Sequence, residues 1–264
     1  GIGRYTAGAI ASIAFGQKSP VLDGNIKRVF SRLFCLNENG TTADSENRLW
    51  QKAEDLLSQS WDQSYEMLNL SHEIFQQALI YLKNGENIDT LKALKKRDKE
   101  INEFHRDVRR KVLTHYAVKQ DTSDMADGLI LINMVVDIER IGDYCKNILD
   151  LAINHEQSIK SAEISKDLVM IEEEVKNRFE KTLQAIQSQD EEIAKTLMEG
   201  YREQMTGKSD DIVHGVLRDK LHFGSESRTA AIALYARYLK RIGAHLKNIT
   251  TTLVNPFDAI GYKG

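Results

Sequence analysis

The segment that decides the fold is Asp137-Ile138-Glu139-Arg140-Ile141-Gly142-Asp143-Tyr144-Cys145-Lys146-Asn147-Ile148. Apolar side chains run through and beyond it at alternating spacings of three and four: Leu131, Met134, Ile138, Ile141, Cys145, Ile148 and Ala152. This spacing predicts an amphipathic helix whose apolar seam packs inside a helical bundle. Glu139 and Asp143 lie four residues apart, so one face of the helix carries both carboxylates, away from the seam.

The same pattern returns 101 residues further on, in residues 238–249. Arg-Ile-Gly and Lys-Asn-Ile recur there in register, and the apolar seam recurs at Ile232, Tyr235, Leu239, Ile242, Leu246, Ile249 and Leu253. Such self-similarity at a fixed period indicates two copies of one structural unit.

Composition limits the classes of protein that fit the chain. The 264 residues suffice for one or two domains with a core, and only two of them are proline, which favours helix. A net charge of −3 does not indicate a nucleic-acid partner. Cys35 and Cys145 are far apart in sequence, which indicates reduced thiols and a cytosolic setting. No apolar run reaches about 18 residues, so we expect no membrane span.

Residues 1–57 differ from the rest, because they are rich in Gly and Ala and carry no long heptad pattern. Gly1-Ile2-Gly3-Arg4-Tyr5-Thr6-Ala7 is typical of a tight glycine turn that leads into a helix. Such a turn directs backbone N–H groups towards an anion such as a DNA phosphate. A simple helix-entry turn without a ligand is the alternative.

This turn, together with Val21-Leu22-Asp23-Gly24-Asn25-Ile26-Lys27-Arg28-Val29, closely resembles the MutY family of adenine DNA glycosylases. The resemblance implies a partial helix-hairpin-helix that contacts DNA through Gly1, Gly3, Arg4 and Thr6, with Asp23 as the catalytic aspartate. The family's catalytic glutamate lies N-terminal to this motif, before the first residue of the chain, so we expect a fragment. The family's four-cysteine loop has no match either. We therefore expect no glycosylase activity and no iron–sulfur cluster.

After a junction at residues 58–61, the periodicity predicts helices over residues 62–84, 86–117, 123–154, 158–187, 189–221 and 225–254. Short connections favour antiparallel neighbours. The predicted fold class is therefore all-α, with two repeated three-helix bundles at residues 62–157 and 158–264.

The Glu-Arg-Ile-Gly-Asp core at residues 139–143, its second copy and the two three-helix units resemble the PhoU family over residues 62–264. Residues 109–113 and 255–262 look like the cytosolic PhoU-like tail of bacterial sodium/phosphate cotransporters. The resemblance implies a non-enzymatic, cytoplasmic regulatory module of phosphate transport, at the inner face of the membrane if it docks a transporter. A phosphate transporter or sensor protein would be its partner, and a homodimer is compatible with it.

The PhoU family often binds metal through an ExxxD motif, which corresponds here to Glu139 and Asp143. A third family ligand, from the preceding helix, corresponds to Asp98. Carboxylates suit a divalent or trivalent metal ion, although a solvated or salt-bridged acidic pair is the alternative. The second repeat carries Arg202, Lys240 and Ala244 at the three positions, so we predict at most one metal site, in the first repeat.

Two functional hypotheses of different classes follow from these resemblances. The first is a regulatory module of phosphate transport, and the second is a fragment of an adenine DNA glycosylase. Nothing in the sequence couples DNA repair to phosphate transport, so a gene fusion or an assembly artefact stays open.

The chain's seven histidines show no metal-ligand spacing, and we expect them at the surface or at helix ends.

Overall fold

The computed structural model describes residues 56–85, 88–119, 123–155, 165–199 and 201–262. Within these ranges the chain is helical and forms no β-strand, so the predicted all-α class is confirmed. The elements are α1 (Leu56–Asn84), α2 (Ile88–Lys96), α3 (Asp98–Lys119), α4 (Met125–Asn154), α5 (Lys166–Ser188), α6 (Glu191–Met198), a π-helix (Arg202–Gly207), α7 (Lys208–Leu217), α8 (Glu226–Thr251) and a 3₁₀ turn (Phe257–Ala259). None of the helices in these ranges is both long and apolar enough to cross a membrane.

The chain divides into two compact units, one of Gly1–Ser64 with Arg106–Asn133 and one of Tyr65–His105 with Met134–Gly264. This division does not test the predicted boundaries of the two sequence repeats, residues 62–157 and 158–264, which stay a prediction. In the first unit, the amide of Gln63 donates to Asp107 at 2.8 Å and so links α1 to α3.

The first repeat of the second unit is built on the predicted seam of α4. Met134, Ile138, Ile141, Cys145 and Ile148 are all fully buried, and the thiol of Cys145 lies 3.8 Å from the backbone oxygen of Ser71 on α1. The seam is therefore the core of this half, as the periodicity predicts, and burial raises the pKa of the Cys145 thiol well above its ordinary value.

The second repeat is built in the same way around α8, which packs against α5 and α7, while α5 also packs against α6. The seam residues of α8 are buried: Ile232, Tyr235, Leu239, Ile242, Leu246 and Ile249. Ser165 caps α5 by accepting the Leu168 N–H, and Asp190 caps α6 by accepting two backbone N–H groups. In both helices the capping side chain therefore accepts hydrogen bonds from backbone N–H groups of the first turn, which have no partner within the helix.

The two repeats meet inside the second unit through corresponding residues. Phe75 and Phe179 are 104 positions apart, and their rings stack at 5.1 Å between centroids. Tyr144 and His245 are 101 positions apart, and their rings stack at 5.9 Å between centroids. Contacts between like positions are what an approximate two-fold relation between the repeats produces.

Three of the six predicted helices are wrong in their extent. The helix predicted over residues 62–84 already includes Leu56, so the predicted junction at residues 58–61 lies within α1. The prediction of one helix over residues 86–117 fails at Arg97, where N–H groups reach back three residues rather than four: Arg97 donates to Leu94 and Glu100 donates to Arg97. Leu94 and Ile101 are both buried and seven apart, so the apolar period runs through the break and does not reveal it. The helix predicted over residues 189–221 is interrupted at Glu199, whose backbone is extended, and continues as the π-helix and α7.

Candidate functional site

The three predicted metal ligands come together in the second unit and are named here the acidic cluster: Asp98, Glu139 and Asp143. Asp98 is the first residue of α3, and Glu139 and Asp143 lie on α4. The Lys146 ammonium joins the two helices, because its Nζ lies 2.9 Å from Asp98 Oδ2 and 3.0 Å from Asp143 Oδ1. The carboxylates are therefore neighbours, as the resemblance implied, but a lysine stands between two of them.

The pKa of Glu139 reflects both its burial and its acidic neighbours. Burial raises the pKa of Glu139, and the negative charges of Asp143 and Asp98 raise it further, against the opposing effect of Arg140 and Lys146. Burial disfavours the charge on Lys146, but its hydrogen bonds to Asp98 and Asp143 outweigh that effect and raise its pKa. Lys146 is therefore held as a cation by the cluster.

Gly142 explains how α3 comes close enough to deliver Asp98. A Cβ at this position would lie 2.8 Å from Ile101 Cδ1 and 3.7 Å from Asp98 Oδ1. The second repeat uses its own glycine in the same way, since a Cβ on Gly243 would lie 2.5 Å from Met205 Cε. Ile101 and Met205 are 104 positions apart, so the repeated Arg-Ile-Gly marks a close approach between helices in both copies.

The fit of a metal ion to the acidic cluster is limited by Lys146. Carboxylate oxygens are suitable donors for hard and borderline cations. However, in the described ranges no group of three or more His, Cys, Asp or Glu side chains is arranged to hold a metal ion. The donor chemistry suits a metal ion, but the Lys146 ammonium already bridges Asp98 and Asp143. The metal site stays a prediction.

The corresponding region of the second repeat carries basic side chains that are already paired. The Lys240 Nζ lies 2.6 and 2.7 Å from the two carboxylate oxygens of Asp210. Lys247 occupies the position of Lys146, and its Nζ lies 3.2 Å from the backbone oxygen of Gly261 and 5.8 Å from the ring centroid of Tyr201. An acidic cluster therefore exists in the first repeat and is replaced by other pairs in the second.

A polar network between α4 and α8 was missed at the level of sequence. The His245 Nδ1 lies 2.7 Å from Asp137 Oδ1, and the Asn248 amide donates to the same oxygen at 3.1 Å. Arg241 Nε donates to the Tyr144 hydroxyl at 3.1 Å. The expectation of a surface or helix-end position is wrong for His245, whose side chain is only 11% exposed. His72 and His115 are buried as well.

A comparison of the two repeats could have found this network. Tyr144 corresponds to His245 and Asp137 corresponds to Tyr238. In an approximately two-fold arrangement, the contact of Tyr144 with Tyr238 has a counterpart between His245 and Asp137. Both members of the contact thus change together between the copies, from an aromatic pair to a hydrogen-bonded pair.

The predicted DNA-contacting and catalytic residues lie outside the described residues. Gly1, Gly3, Arg4, Thr6 and Asp23 belong to the segment before residue 56. Their roles stay predictions.

Comparisons with known proteins bear on both parts of the chain. Residues 65–152 match the PhoU domain family. The solved structure of the phosphate transport system regulatory protein PhoU from Streptococcus pneumoniae superposes with a TM-score of 0.63 at 16% identity, covering 76% of this chain and 95% of that one. PhoU from Pseudomonas aeruginosa gives a TM-score of 0.57 at 19% identity, covering 79% and 96%. At these identities the structural likeness concerns the fold.

A second set of relatives matches a short segment. The adenine DNA glycosylase of Homo sapiens is 47% identical over 57 residues, which are 22% of this chain and 10% of the relative. That of Arabidopsis thaliana is 47% identical over 60 residues, or 23% and 10%. The chain thus spans about a tenth of the length of these relatives. Both resemblances inferred from the sequence are confirmed.

Proposed function

We propose that the helical part of the chain, residues 62–264, is a regulatory module of phosphate transport. One observation carries the proposal: the match of residues 65–152 to the PhoU domain, which contains the Glu-Arg-Ile-Gly-Asp segment. The fold likeness to solved PhoU proteins extends the support to both repeats. The module acts without catalysis, in the cytoplasm, by docking a phosphate transporter or sensor protein, and the transport that it regulates is sodium-coupled.

The acidic cluster is the proposed metal site of this module. Asp98, Glu139 and Asp143 would hold a divalent or trivalent ion, because carboxylate oxygens are suitable ligands for such ions. A bound ion supplies positive charge that neutralises the cluster. The close approach of α3 to α4 at Gly142 supports this proposal, since Asp98 and Asp143 both lie within hydrogen-bonding distance of Lys146.

The proposal is tested by phosphate uptake. The chain is expressed in a bacterium that lacks its own phosphate transport regulator, and the uptake of labelled inorganic phosphate is measured at high and low external phosphate. We expect the chain to restore a difference between the two conditions, and we expect an Asp98→Asn/Asp143→Asn variant to restore less of it. An uptake rate that does not respond to the wild-type chain contradicts the regulatory role. Size-exclusion chromatography with light scattering tests the homodimer.

The glycosylase-like segment supports a second candidate function, contact with DNA. Its support is the 47% identity to adenine DNA glycosylases over 57 residues. We expect duplex DNA binding at low salt that weakens steeply as salt is added, because a phosphate grip releases counterions. An Arg4→Ala variant should bind more weakly. Absence of binding at low salt contradicts this candidate and leaves the segment as the product of a fusion or assembly artefact.

A further inference from the structure

We propose that the second repeat holds a site for a small anionic ligand, which it binds by a phosphate group. The site is a cavity of about 380 Å³ between α5 and the end of α6, both in the second unit. Cavities that bind small molecules measure about 300–1,000 Å³, so this one has room for inorganic phosphate or for a phosphomonoester. The inference goes beyond the regulatory role proposed above and does not depend on the acidic cluster.

One face of α5 supplies most of the polar side chains of the cavity. Glu174, Asn177, Arg178 and Lys181 line it, at spacings that place them on the same side of a helix. The first repeat carries Ile74 at the position that corresponds to Arg178, 104 residues earlier, and Ile74 is buried in the core. The second repeat therefore holds a cation where the first holds an apolar core residue.

The Arg178 guanidinium is fixed in place and still has donors to offer. Arg178 is 2% exposed, and a buried charge is costly unless its N–H groups are paired. Nη1 donates to the Leu197 carbonyl oxygen, and the guanidinium lies over the Tyr201 ring, with Cζ 5.1 Å from the centroid. Nε lies 2.7 Å from Glu174 Oε1 but is not aligned for a hydrogen bond, and Nη2 makes none with the described residues. Burial also lowers the pKa of Arg178, so a nearby anion would stabilise its charge.

Lys181 and Asn177 add donors that no protein group in the described ranges occupies. Neither the Lys181 ammonium nor the Asn177 amide makes a hydrogen bond or an ion pair with these residues. Lys176 on the same helix behaves differently, because it bridges two carboxylates of α5 at 2.9 and 2.7 Å. A guanidinium, an ammonium and an amide at one cavity match the several oxygens of a phosphate group, whereas a carboxylate group offers only two.

Two carboxylates of the lining oppose an anion to different degrees. Glu174 is paired with Arg178, which offsets its charge. Glu199 lies at the end of α6, is exposed and has no ion pair with the described residues. Glu199 therefore repels an anion in the cavity, and its removal should strengthen binding.

The test is isothermal titration calorimetry of the full chain in phosphate-free buffer at low salt, with inorganic phosphate, adenosine monophosphate and adenosine as separate probes. Lys181→Met removes a charge of the cavity, and the fold should not depend on it, because Lys181 pairs with none of the described residues. Lys166→Met is the matched control, since Lys166 lies on the same helix, is exposed and is outside the cavity. Glu199→Gln removes the repelling charge. Circular dichroism checks that each variant is folded.

We expect one of the two phosphate probes to bind at a single site, and Lys181→Met to weaken its binding at least about tenfold. Lys166→Met should bind like the wild type, and Glu199→Gln should bind more tightly. Binding of inorganic phosphate would identify the free ion as the ligand. Binding of adenosine monophosphate alone would identify a phosphomonoester. The site would be overturned if neither phosphate probe bound, if adenosine bound as tightly as its monophosphate, or if Lys181→Met bound like the wild type.

Discussion

The hydrogen bond between Asp137 and His245 makes a testable link between the two repeats. Asp137→Ala removes the acceptor of both the His245 ring and the Asn248 amide. The two side chains of the pair are only 13% and 11% exposed, so water replaces the lost partner poorly. A hydrogen bond to a charged group contributes about 1.5–3 kcal/mol. We expect Asp137→Ala to lower the free energy of unfolding by about 2–4 kcal/mol, since it also orphans a buried donor.

A double-mutant cycle isolates the pair. His245→Ala should cost a similar amount, because it also removes the ring that stacks on Tyr144 at 5.9 Å. The double variant should cost less than the sum, by a coupling energy of about 1–3 kcal/mol. The assay is urea unfolding of the full chain by circular dichroism, with the m-value compared between variants. Asp150→Ala is the control, because its pair with Lys95 is more than a third exposed and should contribute at most about 1 kcal/mol.

Strict additivity would refute this reasoning. If the two single changes sum to the double change within about 0.5 kcal/mol, Asp137 and His245 are not energetically coupled. An Asp137→Ala cost no larger than that of Asp150→Ala would contradict the buried character of the pair. Either result would assign the link between α4 and α8 to their other contacts, such as the Arg241–Tyr144 hydrogen bond and the apolar seams.

Three further predictions concern stability. Burial lowers the pKa of His72 from its ordinary 6.5, so the unfolded chain takes up the proton more readily than the folded chain. The free energy of unfolding should therefore fall as pH drops below about 6.5. Urea titrations at several pH values measure this dependence, and the His72→Phe variant should lack it. Gly243→Ala should lower the free energy of unfolding by about 1–2 kcal/mol in thermal unfolding, because overpacking against Met205 exceeds the gain in helix propensity. In a Met205→Ala background, where that contact is absent, the same Gly243→Ala change should instead raise the free energy of unfolding. Asp190→Ala removes the cap of α6 and should cost about 1 kcal/mol, with faster amide exchange in the first turn.

The sequence predicted well those features that depend on local periodicity. The two apolar seams are buried as expected, with Ile138 and Ile242 fully enclosed. The end of α1 at Asn84 follows from Gly85, whose φ of +70 suits glycine. The acidic cluster also came from sequence, because an i,i+4 spacing places Glu139 and Asp143 on one face whatever the rest of the chain does. Asp98 joined them only through resemblance to a family.

The sequence did not predict features that depend on a local change in the backbone hydrogen-bond pattern. The break at Arg97 interrupts an apolar period that continues unchanged from Leu94 to Ile101. The interruption at Glu199 lies between α6 and the π-helix and likewise falls within a stretch of helical composition. Periodicity reports which side chains face the core, and a short change from i−4 to i−3 or i−5 hydrogen bonds leaves that facing largely intact.

By itself, the sequence determined that the described part of the chain is helical and which residues form each core, because these properties follow from the 3.6-residue period of a helix. The repeat of one unit was indicated by the recurrence of Arg-Ile-Gly and Lys-Asn-Ile in register. Tertiary structure alone decided that Lys146 stands between Asp98 and Asp143, and that His245 meets Asp137 from 108 positions away. Such contacts depend on the distance and rotation between packed helices. Gly142, for example, permits the close approach of α3 to α4 that brings Asp98 to Lys146. No spacing along one helix contains that information.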